Sequence, residues 1–303
     1  MIRKRNIFIL ICWVPLFVFA QEENETEHKE VSKVFNGQTI INAQSVDLLP
    51  KTKGFGVVIQ HRFGTITPDK QAIMQFLGFD LPANIRFGFS YSFCNWFQVD
   101  IGRTKTDKMY DLGGKFRIMK QTTDNHRPLS ISAYGNVAIM SADFPVVSDR
   151  EFFADSITPF AYRFEHRLRC SLQFIFARKF GEVASVQLSP ILTYRNLAPA
   201  LGSNLAVAIP ISGRFKVSKK GSILFEYAPV ILGRQPNNHL DPFSIGYEIA
   251  TAGHVFQIIF STSNEIMENR LYSEPTERYD KGYFLLGFNI MRSIWIRPKK
   301  KKT

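Results

Sequence analysis

The chain has 303 residues, of which 45% are hydrophobic and 28 are phenylalanine, and its formal net charge at pH 7 is +12. Three cations lie at Arg3–Arg5 and five more at the far end, in Arg297 and Lys299–Lys302, so the rest of the chain carries only about +4. A positive charge that is concentrated at the two ends, without an aromatic-basic repeat, argues against a nucleic-acid-binding protein.

The first 20 residues have the features of a secretory signal peptide. The cations at Arg3–Arg5 precede an apolar run over residues 7–20, which ends at Ala20 before polar residues. The run is shorter than the roughly 20 apolar residues that a membrane-spanning helix needs, although an uncleaved anchor is the alternative. We therefore predict export. Cys94 and Cys170 would remain in the mature chain, and we expect both thiols to be unpaired.

Residues 21–53 form an N-terminal leader. Residues 21–33 are polar and acidic, which is typical of a disordered segment. Residues 34–53 are more apolar, and two interpretations stay open: a short extra strand, or a segment folded against the mouth of the following domain.

From residue 54 onward the dominant pattern is alternation of apolar and polar residues, which indicates strands with two different faces. The strongest example runs from Tyr162 to Phe176, with Leu168, Leu172 and Phe174 on the apolar face. Twelve such segments are predicted, at residues 54–63, 85–93, 96–103, 110–118, 128–139, 162–176, 183–194, 203–216, 221–229, 242–250, 254–262 and 282–296.

Several of these segments are about 10 residues long, which is the length that a tilted strand needs to cross a bilayer. Long links, such as 64–83, 140–160 and 263–281, tend to alternate with short ones. This pattern predicts an all-β domain over residues 54–296: a closed antiparallel up-and-down transmembrane β-barrel of about 12 strands, with 10 to 14 possible. Closure is required because hydrocarbon offers no partner to an unpaired strand edge. Residues 297–303 form a basic C-terminal tail.

Four stretches carry a resemblance to a known family: Phe35–Pro50, Ile59–Gly64, Pro82–Gly88 and Ala250–Ile258. They resemble a Bacteroidota family of outer-membrane-type β-barrel proteins of unknown function, over about residues 35–296. The resemblance implies location in the outer membrane of a Gram-negative cell and carries no known activity. The chain departs from general outer-membrane habit at its end, where a basic tail stands in place of a terminal aromatic residue.

The sequence gives little support for catalysis. A barrel phospholipase resembles others of its class in having a histidine and a serine two residues apart on one strand face, and none of the six histidines has that spacing. We therefore expect no enzymatic activity, no catalytic residue, no metal and no cofactor.

The inward faces of the predicted strands are basic on balance, and nine residues are predicted to line the lumen: Arg86, Lys115, Arg117, Arg163, Glu165, Arg167, Arg169, Arg214 and Glu248. In an open barrel this lining would favour anions; alternatively, the side chains pair with one another and close the interior. Two functions follow as hypotheses: a narrow passive channel for small polar or anionic solutes, or a structural or partner-binding envelope barrel without transport. The expected partners are outer-membrane lipid, such solutes and an envelope protein, and not nucleic acid.

Overall fold

A computed structural model describes residues 28–50, 52–147, 152–153, 157–199, 202–234 and 240–295. The predicted signal peptide, most of the acidic part of the leader and the basic tail lie outside the described residues.

The regular secondary structure of the described chain is almost entirely β-strand. Its β-segments are β1 (Gly54–Ile66), β2 (Asn84–Ser92), β3 (Phe97–Thr104), β4 (Met109–Met119), β5 (Ser130–Ile139), β6 (Leu168–Phe180), β7 (Ala184–Leu188), β8 (Ile191–Arg195), β9 (Leu205–Ala208), β10 (Ile211–Lys216), β11 (Gly221–Tyr227), β12 (Val230–Leu232), β13 (Phe243–Ala250), β14 (His254–Ser261) and β15 (Phe284–Trp295).

Three prolines divide what are otherwise single strands. Pro190 separates β7 from β8, Pro210 separates β9 from β10, and Pro229 separates β11 from β12. A proline has no N–H to donate, so it interrupts the hydrogen-bond ladder. Each proline carbonyl still accepts from the neighbouring strand, as Pro210 does from the Ser189 N–H at 2.9 Å. The fifteen segments therefore form twelve barrel strands.

The strands close into one antiparallel barrel. Each pairs with its neighbours in the chain, and the first and last strands pair with each other in a register that runs from Gly54 opposite Trp295 to Ile66 opposite Phe284. Strand β6 pairs with both β7 and β8, the two halves of the next strand, and this pairing closes the ring of strands. The prediction of a closed antiparallel barrel of about twelve strands is confirmed.

Alternation along the strands gives the barrel two different surfaces. In β2, Arg86 and Ser90 are buried inside, whereas Phe87 and Phe89 are 45% and 40% exposed on the outside. The other strands repeat this arrangement of polar interior and apolar exterior. Such an exterior is what hydrocarbon requires of a barrel wall.

Two local predictions differ from the structure. Strand β6 begins at Leu168 rather than at Tyr162, because Phe164–Arg167 form a 3₁₀ turn before it. Residues 34–49, for which a strand or a segment at the mouth was expected, lie inside the barrel instead, with most of their side chains buried. Cys94 and Cys170 are free thiols, as predicted.

The helical elements are short and lie in the connections. Helix α1 (Gln71–Met74) is in the β1–β2 loop and helix α2 (Glu268–Leu271) is in the β14–β15 loop. In the part of the chain that the structure describes, four 3₁₀ turns occur, at Phe76–Gly78, Thr106–Lys108, Phe164–Arg167 and Tyr279–Lys281. Within the described ranges, no helix has the length and apolar character needed to span a membrane.

Candidate functional site

Two segments of the chain fill the lumen. The N-terminal segment (residues 34–49) precedes the first strand, and the inner loop (residues 263–273) belongs to the β14–β15 connection and contains α2. Most residues of both segments are buried. Because a barrel interior is where a solute would pass or bind, this filled lumen is the candidate functional site.

The N-terminal segment turns back on itself at residues 40–43, where one carboxylate holds its backbone. Glu226 of β11 accepts hydrogen bonds from the N–H groups of Ile41 at 2.8 Å, Asn42 at 2.9 Å and Ala43 at 3.0 Å. Successive backbone N–H groups that converge in this way form a small anion-binding concavity. The wall therefore supplies the anion that the turn needs.

A second carboxylate, from the segment itself, stabilises its base. Asp47 accepts from the backbone N–H groups of Val34 and Phe35, both at 2.8 Å. The wall contributes a cation nearby, since the Lys115 Nζ donates to the Ser45 carbonyl at 2.9 Å. Backbone groups that would be orphaned inside the barrel are thus paired, which removes a large cost of burying this segment.

Apolar packing adds to these hydrogen bonds. One cluster inside the barrel joins the N-terminal segment to inward-facing wall residues; it contains Val34, Phe35, Ile40, Ile41, Val46, Tyr134, Ile175, Ala177, Leu224 and Ile259. Burial of each large aliphatic side chain contributes roughly 1.5–3 kcal/mol. The N-terminal segment thus packs like the hydrophobic core of a protein and is not an extended segment surrounded by water in an open pore.

The inner loop is held mainly by polar and charged groups. Arg86 forms an ion pair with Asp111 at 2.8 Å, and its Nε contacts the sulfur of Met267 at 2.9 Å. Asn269 donates to the side-chain carbonyl of Asn136 at 3.0 Å. These contacts attach the inner loop to the wall strands β2 and β5, and Asp111 of β4 holds Arg86 in place.

A network of arginines and carboxylates lies at the end of the inner loop. Glu274 lies 2.8 Å from Arg169 and 3.3 Å from Arg195, so one carboxylate serves two wall arginines. Arg270 of α2 pairs with Glu265 at 2.7 Å. All five side chains are at most 16% exposed, so solvent screens these pairs only weakly.

The two segments meet inside the barrel. The Glu268 side chain of α2 forms a hydrogen bond with Gln44 of the N-terminal segment, and its Oε1 has no hydrogen-bond partner among the described residues. Burial raises the pKa of Glu268 to about 7, although Arg86 opposes the shift. This carboxyl is therefore close to its titration point at neutral pH.

The nine residues predicted to line the lumen fall into three groups. Five are inside with partners in the lumen or its wall: Arg86, Lys115, Arg169, Arg214 and Glu248, of which the last two pair with each other at 3.5 Å. Arg117 is half-buried at the end of β4 and donates to the Asn95 carbonyl. Arg163, Glu165 and Arg167 precede β6, where Arg163 and Glu165 are exposed and Arg167 donates to the carbonyls of Met140 and Ala142.

Several residues of the filled lumen were not singled out from the sequence. Arg62 is fully buried and donates to Asn42 at 2.7 Å, and Gln187 accepts from the Val46 N–H at 3.0 Å. Asp47 and Glu268 lie outside the strands, so strand alternation could not assign them. The one available signal was the apolar content of residues 34–49, which had no strand partner in the sequence.

No group of three or more histidine, cysteine, aspartate or glutamate residues with metal-binding geometry occurs in the described part of the chain.

Comparisons with solved structures find porins. The chain is similar to a KdgM porin in complex with disordered oligogalacturonate (7% identity, TM-score 0.49, covering 79% of this chain and 99% of the porin). It is also similar to a NanC porin (7%, 0.48, 80% and 100%) and to the Acinetobacter baumannii outer membrane protein Omp33 (11%, 0.42, 80% and 98%). No curated protein matches the sequence.

A family model matches residues 35–294, a range that includes the N-terminal segment and the barrel strands except for one residue at each end. That family is described as a membrane bound beta barrel domain (DUF5777), and the chain belongs to it.

Proposed function

We propose that the protein is an outer-membrane barrel that is sealed by its own chain and acts as a structural or partner-binding component of the envelope. The observation that carries this proposal is the burial of the N-terminal segment and the inner loop in the lumen. Location in the outer membrane is supported by the barrel architecture, since closed barrels with an even number of strands are typical of that membrane, and by the predicted export signal.

The way in which the N-terminal segment is held supports a permanent seal. Opening would break the three bonds to Glu226, leave the Lys115 ammonium without its carbonyl partner and expose an apolar cluster. Each buried polar group that loses its partner raises the free energy by about 1–3 kcal/mol. The total cost of withdrawing the N-terminal segment is therefore large unless binding of a ligand offsets it.

A gated channel for small polar or anionic solutes is the second candidate. It is favoured by the basic wall that surrounds the N-terminal segment, in which Arg62, Arg86 and Lys115 are buried. A cavity of about 310 Å³ also lies at the end of the barrel where short turns join β6 to β7 and β10 to β11. Cations from the leader, β6, β10 and the β10–β11 turn line it: Lys33, Lys179, Arg214, Lys216, Lys219 and Lys220. If the lumen opened, this end would attract anions.

Conductance in planar bilayers tests the two candidates. Wild-type mature protein is expected to insert without channel openings, and a variant that lacks residues 28–50 is expected to conduct. Heat modifiability on gels serves as the control that each preparation is folded. Openings in wild-type protein would contradict the sealed barrel and support the channel; a folded deletion variant that stays silent would show that the wall and inner loop close the lumen without the N-terminal segment.

A further inference from the structure

The β1–β2 loop (residues 67–83) presents large apolar side chains on the outside of the molecule. Ile73, Met74 and Phe76 are 81%, 80% and 65% exposed, and helix α1 has no buried residue. Exposure of such a patch to water is unfavourable, and exposed apolar patches mark surfaces that contact a partner or a membrane.

The loop lies back against the outer wall of the barrel. The ring of Phe79 stacks on that of Phe63 in β1 with 4.1 Å between centroids, and Phe76 contacts Phe79 at 5.2 Å. On the wall, the Phe63 ring lies 4.3 Å from the His61 ring, and the His61 ring stacks on that of Phe288 with 5.1 Å between centroids. The aromatic surface of the loop is thus continuous with the apolar exterior of β1 and β15.

Two glycines allow this close approach. Gly78 has a positive φ of 83°, and a Cβ added to it would lie 2.3 Å from the carbonyl oxygen of Gly64 in β1. A Cβ added to Gly64 would lie 2.2 Å from the Cβ of Leu81. Side chains at either position would push the loop away from the wall, so glycine keeps it flush against the strand.

The loop also has a polar side. Asp69 accepts hydrogen bonds from the Thr67 hydroxyl at 2.6 Å and from the Gln71 N–H at 2.9 Å, and Gln75 donates to Gln71 at 3.5 Å. Polar residues at 69–71 and 75 beside apolar residues at 73, 74 and 76 are typical of a segment at a membrane–water boundary.

We propose that the β1–β2 loop inserts Ile73, Met74 and Phe76 among the acyl chains of the adjacent lipid leaflet and anchors that end of the barrel. Lipid is the occupant that fits, because the patch continues a wall that already faces lipid. The inference uses only the membrane-bound state and not the proposed sealed function, so either can fail alone.

Tryptophan fluorescence tests the anchor in the mature protein, with Trp96 and Trp295 both replaced by phenylalanine. The probe variant is I73W, and the matched control is V146W in the β5–β6 loop, where Val146 is 98% exposed. In vesicles of phosphatidylcholine brominated near the middle of its chains, I73W is expected to lose emission and to resist acrylamide. V146W is expected to keep its emission and to be quenched by acrylamide.

Acrylamide quenching of I73W as complete as that of V146W would overturn the proposal. So would shielding of I73W from both quenchers that depends on the protein-to-lipid ratio, since that result would assign the patch to a second copy of the chain. Each variant is first checked for heat modifiability on gels.

A second measurement needs no substitution. Wild-type protein in vesicles that contain phosphatidylcholine with a photoactivatable acyl chain is irradiated and digested, and the adducts are mapped by mass spectrometry. Adducts are expected within residues 71–79 as well as on the outward residues of β1. Labelling of β1 without labelling of residues 71–79 would overturn the proposal.

Discussion

The two segments that fill the lumen are held by different kinds of interaction. In the N-terminal segment, the carboxylates of Glu226 and Asp47 accept backbone N–H groups, and an apolar cluster packs around them. In the inner loop, Arg270 belongs to a network of ion pairs that includes the adjoining Glu274, and one carboxylate oxygen of Glu268 is unpaired among the described residues. The first segment resembles a protein core, and the second resembles an interface.

This difference indicates which part of the lumen can respond to conditions. Apolar packing and satisfied backbone groups depend little on salt, whereas ion pairs and an acid with a pKa near 7 depend on salt and pH. Burial raises the pKa of Asp47 as well, but two backbone N–H groups favour its charged form. We therefore expect the inner loop to move more readily than the N-terminal segment.

The largest expected effect is at Glu226. E226L leaves three buried N–H groups without an acceptor and is expected to lower the free energy of unfolding by about 4 kcal/mol. The measurement is urea unfolding in detergent micelles, followed by the heat-modifiable gel band. E226Q, which keeps one acceptor oxygen, is the control and should lose less. Stability of E226L equal to that of wild type would contradict a tightly held N-terminal segment.

Titration of Glu268 is expected to loosen the inner loop. Because burial raises the pKa of Glu268 from 4.5 to about 7, the protonated form favours docking. Docking is complete below about pH 4.5, weakens as the pH rises to about 7 and then stays constant, with a total loss of about 3 kcal/mol. A spin label at P275C, in the mature chain without Cys94 and Cys170, should become more mobile between pH 5 and pH 8.

The control for this titration is E268Q, which cannot ionise and should keep the label immobile at both pH values. An identical change of mobility in E268Q would show that the pH response does not arise from Glu268.

A smaller effect is expected at the ion-pair network. E274Q removes the carboxylate shared by Arg169 and Arg195 and is expected to destabilise loop docking by about 2 kcal/mol, below the value for a fully buried pair because Glu274 is partly exposed. The same spin label reports the change at pH 5. D280N, which removes the partner of the exposed Arg278, is the control and should leave the label unchanged. Equal mobility in E274Q and wild type would argue against ionic docking.

The smallest effect is expected at a single hydrogen bond to the N-terminal segment. The Ser132 hydroxyl donates to the Val46 carbonyl at 2.7 Å, and S132A is expected to cost about 1 kcal/mol of unfolding free energy. Urea unfolding measures it, and the mobility of the P275C label should not change. A released inner loop in S132A would show that the two segments are coupled and would remove the distinction between them.

Much of the barrel was predictable from local sequence. Alternation in β2, β4 and β6 gave the inward position of Arg86, Lys115 and Arg169, because a strand places successive side chains on opposite faces. Arg163 and Glu165 kept the same alternation in the sequence, but the chain there forms a 3₁₀ turn, and alternation alone cannot mark the residue at which a strand begins.

The filling of the lumen was not predictable in the same way. Glu226 meets the turn at residues 40–43 across more than 180 positions of sequence, and Glu268 meets Gln44 across more than 220. Neither contact leaves a local pattern. The N-terminal segment has apolar residues without a regular period, so the sequence showed that it needed a partner but not where the partner lay.

The sequence by itself determined the strands, their two faces and the closed barrel, because a strand in lipid must pair all its backbone groups and turn its apolar face outward. Only the tertiary structure decided what occupies the interior. A polar inner face is compatible with water, with paired side chains or with another part of the chain, and the choice depends on whether distant segments offer matching donors, acceptors and apolar surface. Here the N-terminal segment and the inner loop offer them.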